Sequence, residues 1–227
     1  MQGLKGEDIV DDSCWVVKSH SPWIMPEAPQ FRANKLIIIV RNPTESCISW
    51  MNLCNMFTHS VKIPFDVAET YPNYWKWWVK DCMGHMKNYY KVYLDDAKYR
   101  KVPTLFVRFE DLVMDPEPEL TKIMQFMLGQ KDLSGTNAER RIKEVIAKGA
   151  GATVTYALKD TTKKYNSNAS KYSPEQREWI KENFGEMLHF FGYAKVPQDP
   201  NNVTGFYDYD GSEPDLNRKY NGYKAYT

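Results

Sequence analysis

Apolar residues gather in three short runs, Trp15 to Lys18, Lys35 to Val40 and Thr104 to Arg108, and each predicts a β-strand. The second run, with three successive isoleucines and a valine, reads as a strand covered on both faces, as in a parallel sheet. Between the runs the apolar spacing changes to the helical one. Asn42-Pro43-Thr44-Glu45 offers a cap, a proline at the first helical position and an acid three residues on, so a helix runs from there to about Met56. Trp75, Trp78, Cys82, Met86, Tyr89 and Tyr93 recur at three- and four-residue steps, which predicts a long amphipathic helix over Tyr74 to Ala97. Pro103 punctuates before the third strand, and Asp115-Pro116-Glu117 opens a helix through Met127. Further helices are predicted over Glu139 to Lys148, ending at Gly149, and from the capping box Ser173-Pro174-Glu175-Gln176 to Phe191, where Gly192 stops it. Strands alternating with helices define the α/β class, a parallel sheet flanked by helices.

After Gly192 the sequence turns to Pro, Asn, Asp, Gly and Tyr without helical or alternating period. Residues 1–193 are therefore read as one α/β domain and 194–227 as an extended tail. Its tyrosines (Tyr207, Tyr209, Tyr220, Tyr223 and Tyr226) suit anchoring on a surface, its own or a partner's, because each ring brings apolar area at small entropy cost; a solvated tail is the alternative. At 227 residues the chain accommodates one such domain rather than two. Lysine and arginine total 30 against 29 aspartate and glutamate, which gives no basic field for nucleic acid. No apolar run approaches the roughly 20 residues that cross a bilayer, and the charged N-terminus carries no readable signal peptide. Cys14, Cys47, Cys54 and Cys82 form no C-x-x-C pair and read as reduced, buried thiols.

Three places carry candidate chemistry. Arg41 stands at the carboxyl end of the second strand, directly before the capped helix, where open parallel sheets place ligands. Its guanidinium and the free N–H groups of the first helical turn favour a phosphate or sulfate, with Ser49 about 10 Å further along the axis. Pairing of Arg41 with Glu110 or Asp111 is the alternative. Lys18-Ser19-His20 ends the first strand, and a histidine there suits removal of a proton from a hydroxyl at neutral pH; a surface or capping role is the plainer reading. Finally, Val107-Arg108-Phe109-Glu110-Asp111-Leu112 runs a strand into an acidic turn, where Glu110 and Asp111 read as an ion pair or cap that fixes the turn. Cys82 and His85, one helical turn apart, are too few for a zinc site.

Taken in order, Lys-Ser-His-Ser-Pro, then Ile-Ile-Val-Arg-Asn-Pro with a serine eight residues after the arginine, then Val-Arg-Phe-Glu-Asp-Leu with Asp-Pro-Glu behind it, resemble the sulfotransferase family over residues 15 to about 193. The resemblance implies a P-loop-like α/β fold. It implies transfer of a sulfo group from 3′-phosphoadenosine 5′-phosphosulfate, as co-substrate, to an acceptor hydroxyl or amine, with no metal. Carried over by position, Arg41 and Ser49 match the residues that hold the 3′-phosphate, His20 the catalytic base and Lys18 the lysine before it. Phe109 stands where such enzymes often have a tyrosine near the nucleotide, and Lys163 and Lys164 are weak candidates for a late basic element.

The family's opening strand and Pro-Lys-Ser-Gly-Thr-Thr-like loop, whose N–H groups and lysine hold the 5′-phosphosulfate, have no counterpart here. Gly3-Leu4-Lys5-Gly6 lacks the strand before it and the hydroxyl residues after it, and Lys148 to Thr153 follows a predicted helix. The expectation is an N-terminally incomplete fold with a gap in its sheet. Two readings follow: a working sulfotransferase whose first part lies upstream, or a non-catalytic subunit whose sheet a protein partner completes and whose tail wraps that partner. A P-loop kinase relative is a third, disfavoured by the same missing loop. The family occurs both in the cytosol and in the Golgi, so the compartment is not legible. Asn168-Ala169-Ser170 and Asn202-Val203-Thr204 fit the glycosylation triplet.

Overall fold

The computed structural model describes residues 13, 15–18, 33–58, 61–100, 102–148, 168–191, 193, 219–220 and 223–224. Its centre is a parallel pair of strands, β1 (Leu36–Val40) and β2 (Thr104–Arg108), in the register Leu36 opposite Thr104 through Val40 opposite Arg108. The crossover between them carries α1 (Pro43–Met56), a single turn α2 (Val67–Thr70) and the long α3 (Pro72–Arg100). After β2 the chain continues through α4 (Phe109–Met114), α5 (Pro116–Leu128), α6 (Asn137–Lys148), a 3₁₀ turn at Ala169–Lys171 and α7 (Pro174–Phe190). Parallel strands cannot be joined by a tight turn, and the crossover through three helices meets that requirement. Within the tail predicted over 194–227, the two-residue strands β3 (Lys219–Tyr220) and β4 (Tyr223–Lys224) pair antiparallel.

Two of the three predicted strands are present. The exception is Trp15 to Lys18, where the described residues have no strand and no ladder partner; Trp15 and Val16 are 66% and 59% exposed. Apolar content alone does not make a β element; a ladder with a neighbouring strand does. The burial on both faces expected of β1 fails at one position: Ile38 and Val40 are buried on one face, whereas Ile39 on the other is 43% exposed. It is β2 whose five residues are all buried. Among the described residues no third strand pairs with this sheet.

The helices α1 and α7 begin where their caps put them, whereas Asp115 before α5 makes no side-chain cap hydrogen bond. Asn42 Oδ1 accepts from the Thr44 N–H (3.1 Å) and from the Thr44 hydroxyl (2.7 Å), with Pro43 in the first turn. At α7 the capping box closes reciprocally: Ser173 N–H donates to Gln176 Oε1 (2.9 Å) and Gln176 N–H to Ser173 Oγ (3.2 Å). Gly129, at φ 68°, adopts the left-handed conformation that ends α5. Lys35 Nζ donates to the carbonyls of Phe126 and Met127 (2.6 and 3.1 Å), placing a cation at the negative end of that helix.

The core lies between the buried face of β1, α1, α3 and α7. On α3 the buried positions are Trp75, Val79, Cys82, Met83, Met86, Tyr90 and Tyr93, while the predicted Trp78 and Tyr89 are only half-buried. From α7, Ile180, Phe184, Met187 and Leu188 enter the same cluster, followed by Phe191 and Tyr193. Cys47 and Cys82 are buried free thiols as expected, but Cys54 is exposed, because it falls on the outer side of α1; Cys14 lies outside the described residues.

Candidate functional site

The carboxyl ends of β1 and β2 lie side by side, because Val40 pairs with Arg108, and the residues that follow each strand form the site. Arg41 leaves β1 half-buried, and its guanidinium carbon lies 4.6 Å from the centre of the Phe109 ring at the start of α4. Such a cation over an aromatic face keeps the guanidinium edge available for hydrogen bonds to an anion. The backbone of Arg41 is pinned from α3: its N–H donates to the Tyr90 hydroxyl (3.3 Å), which itself donates to the Arg41 carbonyl (3.0 Å). Burial pushes the Tyr90 phenol up to about 12, so at neutral pH it stays protonated and able to donate.

The acidic turn after β2 takes other partners than Arg41. Asp111 receives Arg108 at 2.6 Å (Nε to Oδ2) and 3.1 Å (Nη2 to Oδ1), a bidentate pair whose arginine side chain is fully buried and also donates to the Phe191 carbonyl at 3.3 Å. Glu110 accepts from the Asn42 N–H (2.9 Å) through Oε1 and from the Tyr193 hydroxyl (2.6 Å) through Oε2. Thus Asp111 forms the ion pair expected to fix this turn, whereas Glu110 reaches instead to Asn42 and Tyr193, and neither pairs with Arg41. Burial and the neighbouring Glu110 carboxylate push the Tyr193 phenol well above its ordinary value.

Glu45 departs from its expected role. As the acid three residues into the capping sequence it should close a box on Asn42, but Glu110 already occupies the Asn42 N–H. Glu45 turns instead to Asn168, accepting from its backbone N–H (3.2 Å) and its Nδ2 (2.7 Å). Tyr172, four residues on, donates its hydroxyl to the Thr44 carbonyl at 2.7 Å. Both contacts fasten the segment entering α7 to the first turn of α1. Burial raises the Glu45 carboxyl above its ordinary 4.5, against the hydrogen bonds of Asn168 and the charge of Arg41.

This shift has a sign that can be measured. A carboxyl raised by folding holds its proton more tightly in the folded chain, so its contribution is fully present below the unfolded value and is lost as pH rises through the folded value. The native protein is therefore expected to gain stability relative to Glu45→Gln as pH is lowered through that window. Urea midpoints across a pH series measure it, and a difference that does not change with pH would contradict the assignment.

Of the other sequence candidates, Ser49 is exposed on α1, one turn beyond Glu45, and shares no hydrogen bond with Arg41. Lys18 is exposed. His20, Lys163 and Lys164 lie outside the described residues. The structure thus joins Arg41 to Phe109. Sequence reasoning missed Tyr90, Asn168 and Tyr172, and for Tyr90 a signal existed: Cys82, Met86 and Tyr90 continue in four-residue steps. Asn168 and Tyr172 carry no periodic signal. Among the described residues, no group of three or more His, Cys, Asp and Glu is placed to hold a metal, and no helix is long and apolar enough to cross a membrane.

A parallel pair of strands crossed over by helices, with a cation and a capped helix at its carboxyl ends, defines an α/β protein. A family model, the sulfotransferase domain, matches residues 10–184, and the chain belongs to that family. Its fold is the α/β sulfotransferase fold, and its general function is sulfotransferase-like, with a sulfo-donor co-substrate. No curated protein and no solved structure matches the chain.

Proposed function

We propose that the protein transfers a sulfo group from 3′-phosphoadenosine 5′-phosphosulfate to an acceptor hydroxyl or amine, with the nucleotide's 3′-phosphate held by Arg41 and Ser49. The observation that carries this reading is the placement of Arg41: its backbone is clamped by Tyr90, its guanidinium lies over Phe109, and no ion pair among the described residues consumes its charge. A buried arginine already committed to a carboxylate would have no capacity for a phosphate. Phe109 belongs beside the nucleotide, where it steadies the arginine. His20 is the base in this scheme and Lys18 the neighbouring cation. In an in-line displacement the acceptor oxygen bonds to sulfur, the bond from sulfur to the 5′-phosphate oxygen breaks, and the acceptor proton passes to His20. Positioned cations stabilise the charge that develops on the sulfo and leaving oxygens.

Calorimetry with adenosine 3′,5′-bisphosphate tests the binding half of this reading. Native protein is expected to bind at micromolar concentration, and Arg41→Ala to weaken binding by about 10- to 100-fold, the scale of one hydrogen-bonded charge contact. Circular dichroism of the variant checks that the fold survives. Absence of binding to the folded native protein would overturn the proposal.

The exposed Ile39 supports a second reading. An isoleucine in mid-strand, 43% exposed beside buried Ile38 and Val40, leaves apolar surface and, among the described residues, a strand edge for another segment to cover. A non-catalytic subunit of a larger assembly would use that surface for a protein partner. The same calorimetric experiment separates the two, since this subunit needs no nucleotide.

A further inference from the structure

Away from the strand ends, a cavity of about 810 Å³ opens between the N-terminal half of α3 and the start of α7. That volume lies within the range of small-molecule sites, roughly 300–1,000 Å³. Its floor is apolar and fixed. Trp75 and Val79 are buried, Trp75 packs on Tyr172 with ring centres 5.2 Å apart, and the Trp75 indole N–H is spent on the Lys171 carbonyl at 2.9 Å. Half-buried Trp179 adds a further aromatic wall.

The rim has the opposite character. Lys76, Lys80, Lys171 and Arg177 line the cavity, and Glu175 is the one acidic residue among the lining side chains. Lys171 is partly neutralised by Asp66 at 3.2 Å. Lys76 and Lys80 are exposed, stand one turn apart on α3, and make no ion pair among the described residues. An aromatic floor under an excess of positive charge selects a ligand with two parts. We propose that this cavity binds a small amphiphile carrying a sulfate, sulfonate or carboxylate group on an aromatic or aliphatic body, with the body on Trp75, Val79 and Trp179 and the anion between Lys76 and Lys80. This site is separate from the nucleotide seat at Arg41, and the proposal does not depend on that reading.

The test uses two fluorescent probes of nearly the same ring system, anionic 8-anilinonaphthalene-1-sulfonate and neutral N-phenyl-1-naphthylamine. The intact chain is expected to bind the sulfonate, and the double variant Lys76→Glu with Lys80→Glu to bind it about tenfold more weakly, as reversal of two nearby charges at a solvated rim implies. Affinity for the neutral probe should change less than about twofold, which also shows that the cavity survives the substitutions. Arg41→Ala should leave sulfonate binding unchanged. Equal sulfonate affinity in the native protein and the double variant overturns the proposal, and so does loss of that binding in Arg41→Ala. Displacement of the probe by sodium sulfate, beyond sodium chloride of matched ionic strength, would reveal a site for the bare anion and would overturn it as well.

Discussion

Asp111→Ala is expected to destabilise the protein by about 3–5 kcal/mol, the cost of removing the carboxylate from a buried, bidentate ion pair. The Arg108 side chain has no exposure to solvent, and its contacts with Asp111 at 2.6 and 3.1 Å make the pair bidentate. Its contact with the carbonyl of Phe191, 3.3 Å away just beyond α7, is to a neutral group and cannot replace a carboxylate. Removing the cation together with the anion is expected to cost less than removing Asp111 alone, so Arg108→Met with Asp111→Leu should recover part of the loss. Urea unfolding of the two variants measures both quantities. A loss below about 1 kcal/mol for Asp111→Ala would show that Arg108 finds water or another anion.

Glu110→Ala should cost about 2–4 kcal/mol, since it strands two buried donors at once. One is the Asn42 N–H at the start of α1, and the other is the Tyr193 hydroxyl beyond α7. Glu110→Gln retains a carbonyl oxygen for one donor and is expected to lose less than the alanine variant. Because Asn42 directly follows Arg41, the alanine variant should also weaken binding of adenosine 3′,5′-bisphosphate more than its loss of stability alone explains. Calorimetry at a temperature where the variant remains folded reads this. Unchanged affinity in Glu110→Ala would separate the acidic turn from the positioning of Arg41.

The parts of this architecture that the sequence announces are those with local causes. Asn42-Pro43 and Ser173-Pro174-Glu175-Gln176 start helices because their side chains satisfy N–H groups within the same turn. Thr104 to Arg108 forms a strand over the predicted span. What stayed hidden depends on residues far apart in the chain. Nothing local in Asn42-Pro43-Thr44-Glu45 indicates that Glu110 will take the cap's own N–H and send Glu45 to Asn168. Trp15 to Lys18 has strand-like composition, yet pairing decides the outcome, and no ladder forms there among the described residues. At the site, position along the motif located Arg41 and Phe109, whereas their contact and the Tyr90 clamp required the fold.

The Asn168 side chain carries one more consequence. Its Nδ2, the atom to which an oligosaccharide would be joined in Asn168-Ala169-Ser170, is already the donor to Glu45 at 2.7 Å. A sugar added there would take one of the two Nδ2 hydrogens and crowd this contact, leaving the other and the Asn168 backbone N–H (3.2 Å) to serve the Glu45 carboxyl. In a glycosylating compartment a sugar at this position would thus stand at the joint between α1 and the segment entering α7.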